Sequence, residues 1–126
     1  MRIYDSHVDT PSQLIRLRNP GIDNRYGHVD FPKLRRGGVG GSFFALYTPA
    51  EMAPDAATRY ALEMMSAVYD AVDANPDYAA LAFTPEEAAA HAKDGLISVF
   101  IGMENGSPIQ RSCRFSAPFT AWGSVT

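Results

Sequence analysis

The sequence has 126 residues, enough for at most one domain of ordinary size. Eleven Lys and Arg residues against fourteen Asp and Glu residues give a formal net charge of -3, which argues against a nucleic-acid-binding surface. One cysteine excludes a disulfide framework, no apolar run reaches the roughly 20 residues of a membrane span, and the N-terminus lacks the apolar core of a signal peptide, so we expect a cytoplasmic protein.

The first forty residues predict one strand and two helices. Residues 3–9 mix β-forming and polar residues and predict a short strand that ends in a loop. Residues 11–18 predict a helix, and residues 19–27 hold the Pro and Gly residues of a loop. Asp30 occupies the position of a helix N-cap before FPKLRR, and Gly37-Gly38 ends that short helix.

The remainder predicts two further strands separated by two helices. Residues 39–48 form a mostly apolar run, typical of a strand buried on both faces of a parallel sheet. Residues 55–74 carry apolar residues at helical spacing. TPEE (84–87) has the form of a capping box, and the helix that it opens is expected to stop at Gly95. Residues 96–105 predict a third buried strand.

This alternation of strands and helices predicts an α/β fold with a parallel sheet and helical crossovers. Three parallel strands do not make a closed sheet. A (β/α)8 barrel needs about 250 residues, roughly twice the length of this sequence.

His7 and Asp9 are the first candidate for a metal site. Residues two apart in a strand point to the same face, and the carboxyl end of a barrel strand faces the mouth where active sites lie. An imidazole and a carboxylate placed together can chelate a divalent cation such as zinc. The alternative is that both side chains only bond neighbouring backbone groups.

Glu104 lies at the end of the third predicted strand and is the second candidate. A carboxylate at the tip of a buried strand needs a cation or hydrogen-bond donors, because burying it alone is costly. Ligand-type residues at two strand ends together support a metal site more strongly than either position does alone.

Other motifs receive structural interpretations. His28-Val29-Asp30 repeats the H-x-D letters, but Asp30 is better explained as a helix cap. His91 is expected to be solvated in the middle of a helix. The glycines of residues 37–41 precede a strand, so a tight turn is favoured over a phosphate-binding loop. Cys113 has no recognisable base partner in the sequence, which argues against a catalytic thiol.

Three stretches together are similar to the membrane (renal-type) dipeptidase family of zinc peptidases. They are DSHVDTP (5–11), GHVDFPKLRRGGVGGSFFALYTP (27–49) and GLISVFIGMENGSPI (95–109), and the helix RYALEMMSAVYDAV (59–72) between them fits in length and place. One departure is that Glu104 is followed by Asn-Gly-Ser, where many members have Gly-Gly-His.

The resemblance implies the N-terminal part of a TIM-type barrel with a two-zinc centre. Family members hydrolyse dipeptides and often accept a D-residue at the C-terminal position. By resemblance His7 and Asp9 bind one zinc and Glu104 bridges both. The remaining His ligands, the acid/base Asp and the substrate-binding residues come from later strands, so no catalytic residue is assigned here and the chain alone is expected to be inactive. The complete enzyme is expected to be a homodimer.

Two rival functions stay open at this point. One is a different metal-dependent amidohydrolase on the same barrel, and the other is a non-catalytic module that retains the strands. Downstream ligands would separate the first rival from a dipeptidase. Retention of His7, Asp9 and Glu104 argues against the second, because a purely structural module would not require them.

Residues 110–126 differ from residues 1–109, which we assign to the dipeptidase barrel. All fourteen acidic residues lie at or before Glu104. Reading the codons of residues 112–126 from their third bases permits L-[PS]-L-[LF]-x-x-F-[YH]-x-L-G-V-R-Y. This pattern matches the helix DLSLLRTFYxLGVRY expected of the family at this point. We therefore interpret the tail as aberrant, the product of a frameshift, with a divergent natural C-terminus as the alternative.

Overall fold

The fold is described from a computed structural model of the chain. The structure describes residues 2–16, 19–23, 25 and 27–110, and the backbone of residues 124–125. In chain order its elements are β1 (Ile3–Val8), α1 (Pro11–Leu14), α2 (Phe31–Arg36), β2 (Val39–Tyr47), α3 (Pro54–Asp73), β3 (Ala79–Leu81), α4 (Pro85–Lys93), β4 (Ile97–Glu104), a 3-10 helix (Ser107–Ile109) and β5 (Ser124–Val125).

The strands form one parallel sheet in the order β1-β2-β4-β3. β5 also pairs with β4, at Gly102 and Met103, which follow the residues that pair with β3. The three predicted strands are confirmed as β1, β2 and β4. β3, which pairs with the first three residues of β4, is not predicted from the sequence. Its sequence, Ala-Ala-Leu, is too short to show a strand period, and alanine is a poor strand former.

One face of the sheet carries the core. Alternate residues of β4, including Val99 and Ile101, are buried together with Met64 and Val68 of α3. Phe44 and Leu46 of β2 extend the same cluster, which also receives the buried side chains of α1 and α2: Leu14, Phe31 and Leu34. These helices therefore cover one side of the sheet, as the outer helices of a barrel do.

The opposite face carries the residues that alternate with this core. Phe43 and Phe100 are register partners whose rings stack with centroids 4.7 Å apart. Tyr47 and Glu104, four residues further along each strand, are partners on the same face. Tyr47 is 44% exposed, so this face is only partly covered by the described residues.

Local capping signals place the helices as expected. The Asp30 side chain accepts a hydrogen bond from Lys33 N at 2.9 Å and caps α2. Thr84 and Glu87 form a reciprocal capping box at the start of α4. Gly38 and Gly95 take the positive φ angles, +73° and +75°, that glycine adopts without strain.

Two sequence-based predictions about local structure are corrected. The first helix ends at Leu14 rather than residue 18; residues 15–16 form a turn and residues 17–18 lie outside the described part. His91 is not a freely solvated side chain. It is half-buried, and its Nδ1 lies 3.2 Å from Ser98 Oγ, because the last turn of α4 packs beside the start of β4.

The glycine-rich segment is confirmed as a turn at its first two residues. Gly40 and Gly41 then lie within β2, where a Cβ on Gly41 would approach the Tyr4 ring to 2.7 Å. The absence of a side chain at Gly41 therefore makes room for a neighbour on β1.

Within the described ranges, no helix has both the length and the apolar character needed to cross a membrane. Of the predicted aberrant tail, residues 110–126, the structure describes Gln110 and the backbone of β5; Cys113 lies outside the described part.

Candidate metal centre

The three candidate ligands lie at one edge of the parallel sheet. His7 is near the end of β1, Asp9 follows that strand by one residue, and Glu104 is the last residue of β4. Because the strands are parallel, their carboxyl ends meet at the same edge, which is where ligands bind in this class of sheet.

The structure brings all three side chains together. His7 Nε2 lies 3.1 Å from Glu104 Oε2 and 3.3 Å from Asp9 Oδ1. Since β2 separates β1 from β4, the two strands are about 9–10 Å apart, and the His7 and Glu104 side chains must meet across β2. Ala45 of β2 and its partner Gly102 of β4 are small, so they leave space on this face below the meeting point.

The end of β1 is irregular where it carries the site. Its register against β2 shifts between Asp5 and Val8, and the His7 backbone N–H donates to Asp5 Oδ1 at 3.1 Å. Beyond the strand, Ser12 Oγ donates to the Asp9 carbonyl at 2.9 Å, which holds Asp9 against the start of α1. The predicted strand through residue 9 instead ends at Val8. The His7 and Asp9 side chains do meet, but a register shift and a loop position bring them together.

The donor set fits a divalent cation. One ligand atom from each of His7, Asp9 and Glu104 lies within 4.8 Å of the others. The side chains are 50%, 67% and 43% exposed, so an ion can reach them from solvent. Imidazole nitrogen and carboxylate oxygen are zinc ligands, and three protein ligands leave a coordination position open. Among the described residues, this is the one His/Cys/Asp/Glu cluster with such spacing.

The second H-x-D motif has a different arrangement. Asp30 is buried, caps α2 and pairs with the Lys33 ammonium. His28 is exposed and belongs to no such cluster of the described chain. The interpretation of Asp30 as a helix cap is confirmed.

The sequence alone does not show how the turn after Glu104 is held. Asn105 has φ +77°, and its amide contacts the residue that follows β2. An Asn directly after a strand end is a weak signal for such a turn, because Asn tolerates the left-handed region better than other non-glycine residues.

A sequence profile of the family described as membrane dipeptidase, peptidase family M19, matches residues 1–120. The chain belongs to this family. Its fold is correspondingly α/β, a parallel sheet that forms part of the M19 TIM-type barrel.

Solved structures of two metallo peptidases and a probable dipeptidase have the same fold as this chain. Dipeptidase AC, a metallo peptidase of family M19, superposes with a TM-score of 0.85 at 24% identity, over 98% of this chain and 40% of its own length. A metallo peptidase from Rhodobacter sphaeroides, liganded with a phosphinate mimic of the dipeptide L-Ala-D-Ala, has a TM-score of 0.83 and 24% identity. The match covers 98% of this chain and 43% of that one. The probable dipeptidase PvdM from Pseudomonas aeruginosa has a TM-score of 0.86 and 21% identity. The match covers 98% of this chain and 33% of that one.

The M19 chain described here therefore spans between a third and somewhat under half of these relatives' lengths. Two of them are described as metallo peptidases, which supports a metal cofactor in the family.

Proposed function

We propose that this chain supplies part of the zinc centre of an M19 dipeptidase. The observation that carries the proposal is the convergence of His7, Asp9 and Glu104 at the carboxyl edge of the sheet, with ligand atoms within 4.8 Å of one another. The family match supports a peptidase rather than another metal-dependent amidohydrolase, because it covers residues 1–120.

The three residues have distinct proposed roles. His7 and Asp9 would hold one zinc ion, and Glu104 would be a ligand both to it and to a second ion, whose other ligands would come from later strands of the barrel. When bound, the two ions supply Lewis-acid chemistry for hydrolysis of the peptide bond. His7 would contribute its Nε2, the atom that lies nearest to both carboxylates. The contact of the Asp5 carboxylate with the His7 backbone N–H holds the end of β1 in place.

The proposed substrates are dipeptides, including those with a C-terminal D-residue. The M19 match supports this class, as does the dipeptide mimic bound by the Rhodobacter sphaeroides relative. No acid/base residue is assigned within this chain. We therefore expect the 126-residue chain to bind zinc without hydrolysing L-Ala-D-Ala, and the complete enzyme to be a homodimer.

The test is a zinc titration of the chain by isothermal calorimetry. Glu104→Ala should weaken zinc binding by at least about ten-fold, since it removes one of three ligands. Glu63→Ala is the matched control, because Glu63 is exposed on α3 away from the sheet edge. The competing explanation is that the three side chains only contact one another and hold no ion. It predicts that neither the parent chain nor the variants bind zinc.

We also propose that residues 110–126 are the product of a frameshift within a dipeptidase gene. The loss of all acidic residues after Glu104 and the helix pattern permitted by the shifted frame support this. Resequencing the DNA after codon 109 tests it. Bases that do not encode that helix in the shifted frame would reject the proposal.

A further inference from the structure

Asn105 occupies the turn directly after Glu104. Its φ of +77° lies in the left-handed region, which is costly for residues other than glycine and least so for Asn and Asp. A residue held in this conformation needs stabilising contacts from its surroundings. The Asn105 side chain makes three of them.

The Asn105 amide joins the turn to two other elements. Its Nδ2 donates to the Thr48 carbonyl at 2.8 Å, just beyond the end of β2. Its Oδ1 accepts from the Ser107 backbone N–H at 3.0 Å and from Ser107 Oγ at 2.8 Å, at the start of the 3-10 helix. Both ends of the amide are therefore bonded within the protein.

These contacts lie beside the backbone of the proposed zinc ligand. The Thr48 backbone N–H donates to the Glu104 carbonyl at 3.4 Å, one residue beyond the last β2–β4 register pair. Asn105 then bonds the Thr48 carbonyl in return. Thr48 is fully buried, so this side of the link is fixed in the core. The Glu104 backbone is thereby held on both sides as its side chain extends to His7.

We propose that Asn105 is a positioning residue for Glu104 and that it increases the affinity of the centre for a divalent cation without touching the cation. The inference rests on the proposed zinc site. Its physical basis is that residues which orient metal ligands reduce the freedom that must be lost when the ion binds. Without the amide, Glu104 remains present but is less well directed toward His7 and Asp9.

The experiment is a zinc titration of the full 126-residue chain and of Asn105→Gly. Glycine accepts the positive φ without strain and removes only the three side-chain hydrogen bonds. We expect a zinc affinity about ten-fold lower than that of the parent chain. Ser107→Ala, which removes one of the three bonds, should give a smaller loss and serves if Asn105→Gly does not fold.

Asn75→Gly is the matched control. Asn75 Nδ2 also donates to a backbone carbonyl, that of Ala71 at 2.8 Å, but at the end of α3 opposite to the site. Its loss should lower thermal stability and leave zinc affinity unchanged. A general loosening of the fold would instead lower zinc affinity in both variants.

A double-variant cycle shows whether Asn105 acts through Glu104. In a Glu104→Ala background, Asn105→Gly should change zinc affinity by less than two-fold, since the positioned ligand is already absent. An unchanged affinity for Asn105→Gly alone, or an equal loss in both backgrounds, would overturn the inference. Failure of the parent chain to bind zinc would instead reject the proposed function, so the two failures are distinguishable.

Discussion

The chain contains the letters H-V-D twice, and the two copies have opposite environments. At His7-Val8-Asp9 the polar side chains are half to two-thirds exposed and meet a glutamate from another strand. At His28-Val29-Asp30 the carboxylate is buried beneath the start of a helix, and the histidine is exposed without such partners among the described residues. Identical residues thus form a candidate ion site in one place and a helix cap in the other.

The difference follows from the element that comes next. After Asp9 the chain leaves the carboxyl end of a parallel strand, where neighbouring strands end as well and can contribute ligands. After Asp30 the chain enters a helix whose first N–H groups need an acceptor, and Asp30 Oδ1 accepts from Lys33 N. The local requirement of the backbone determines which function a carboxylate has.

The largest expected effect contrasts the two histidines. His7→Ala should lower zinc affinity by about 100-fold or more, because it removes the only nitrogen ligand among the three described candidates. His28→Ala should leave the affinity within two-fold of the parent value. Calorimetric zinc titrations of both purified variants provide the measurement. A loss of zinc binding in His28→Ala would mean that the two motifs have been ranked wrongly.

Much of the fold near the site is predictable from the sequence because its signals are local. Asp30 and Thr84 mark helix starts because their side chains accept from backbone N–H groups, and Gly95 marks a helix end through its positive φ. The long apolar runs of β2 and β4 similarly identify buried strands.

Features that depend on distant neighbours are not predictable in this way. The partner of His91 is Ser98, and only the packing of α4 beside β4 reveals the contact. β3 exists because Tyr78 and its successors pair with β4, although Ala-Ala-Leu has little strand propensity. Likewise, the site residues could be named from the sequence, but the hydrogen bonds that hold Glu104 could not. The Thr48 N–H donates to the Glu104 carbonyl, and Asn105 Nδ2 donates to the Thr48 carbonyl, 57 positions away.

A smaller effect, on stability, contrasts the two aspartates. Asp30→Ala should lower the free energy of unfolding by about 2 kcal/mol, at the upper end of the range for losing an N-cap, because Asp30 is buried and also pairs with Lys33. Asp9→Ala, measured with a chelator present, should change it by less than about 0.5 kcal/mol, since the Asp9 side chain is 67% exposed. Urea denaturation of both variants compares them. Equal losses would contradict the assignment of one aspartate to the fold and the other to ion binding.

The smallest effect is a pH dependence beside the capping motif. Lys33 pairs with Asp23 as well as Asp30, and Arg36 Nη1 lies 2.8 Å from Asp23 Oδ2. The hydrogen bond from Arg36 lowers the pKa of Asp23 from its ordinary value of 3.8, with Lys33 adding to the shift. Because the folded pKa is the lower one, the stabilisation is fully present above about pH 4 and is lost as the pH falls through the folded pKa.

Asp23→Asn should therefore lose slightly less stability than the parent chain on acidification below pH 4. The difference should be small, because the pair is exposed to solvent and screened by salt. Urea midpoints measured from pH 5 down to pH 2.5 test this, and parallel curves for the two proteins would show that the Asp23 pairs contribute nothing to the network around the second motif.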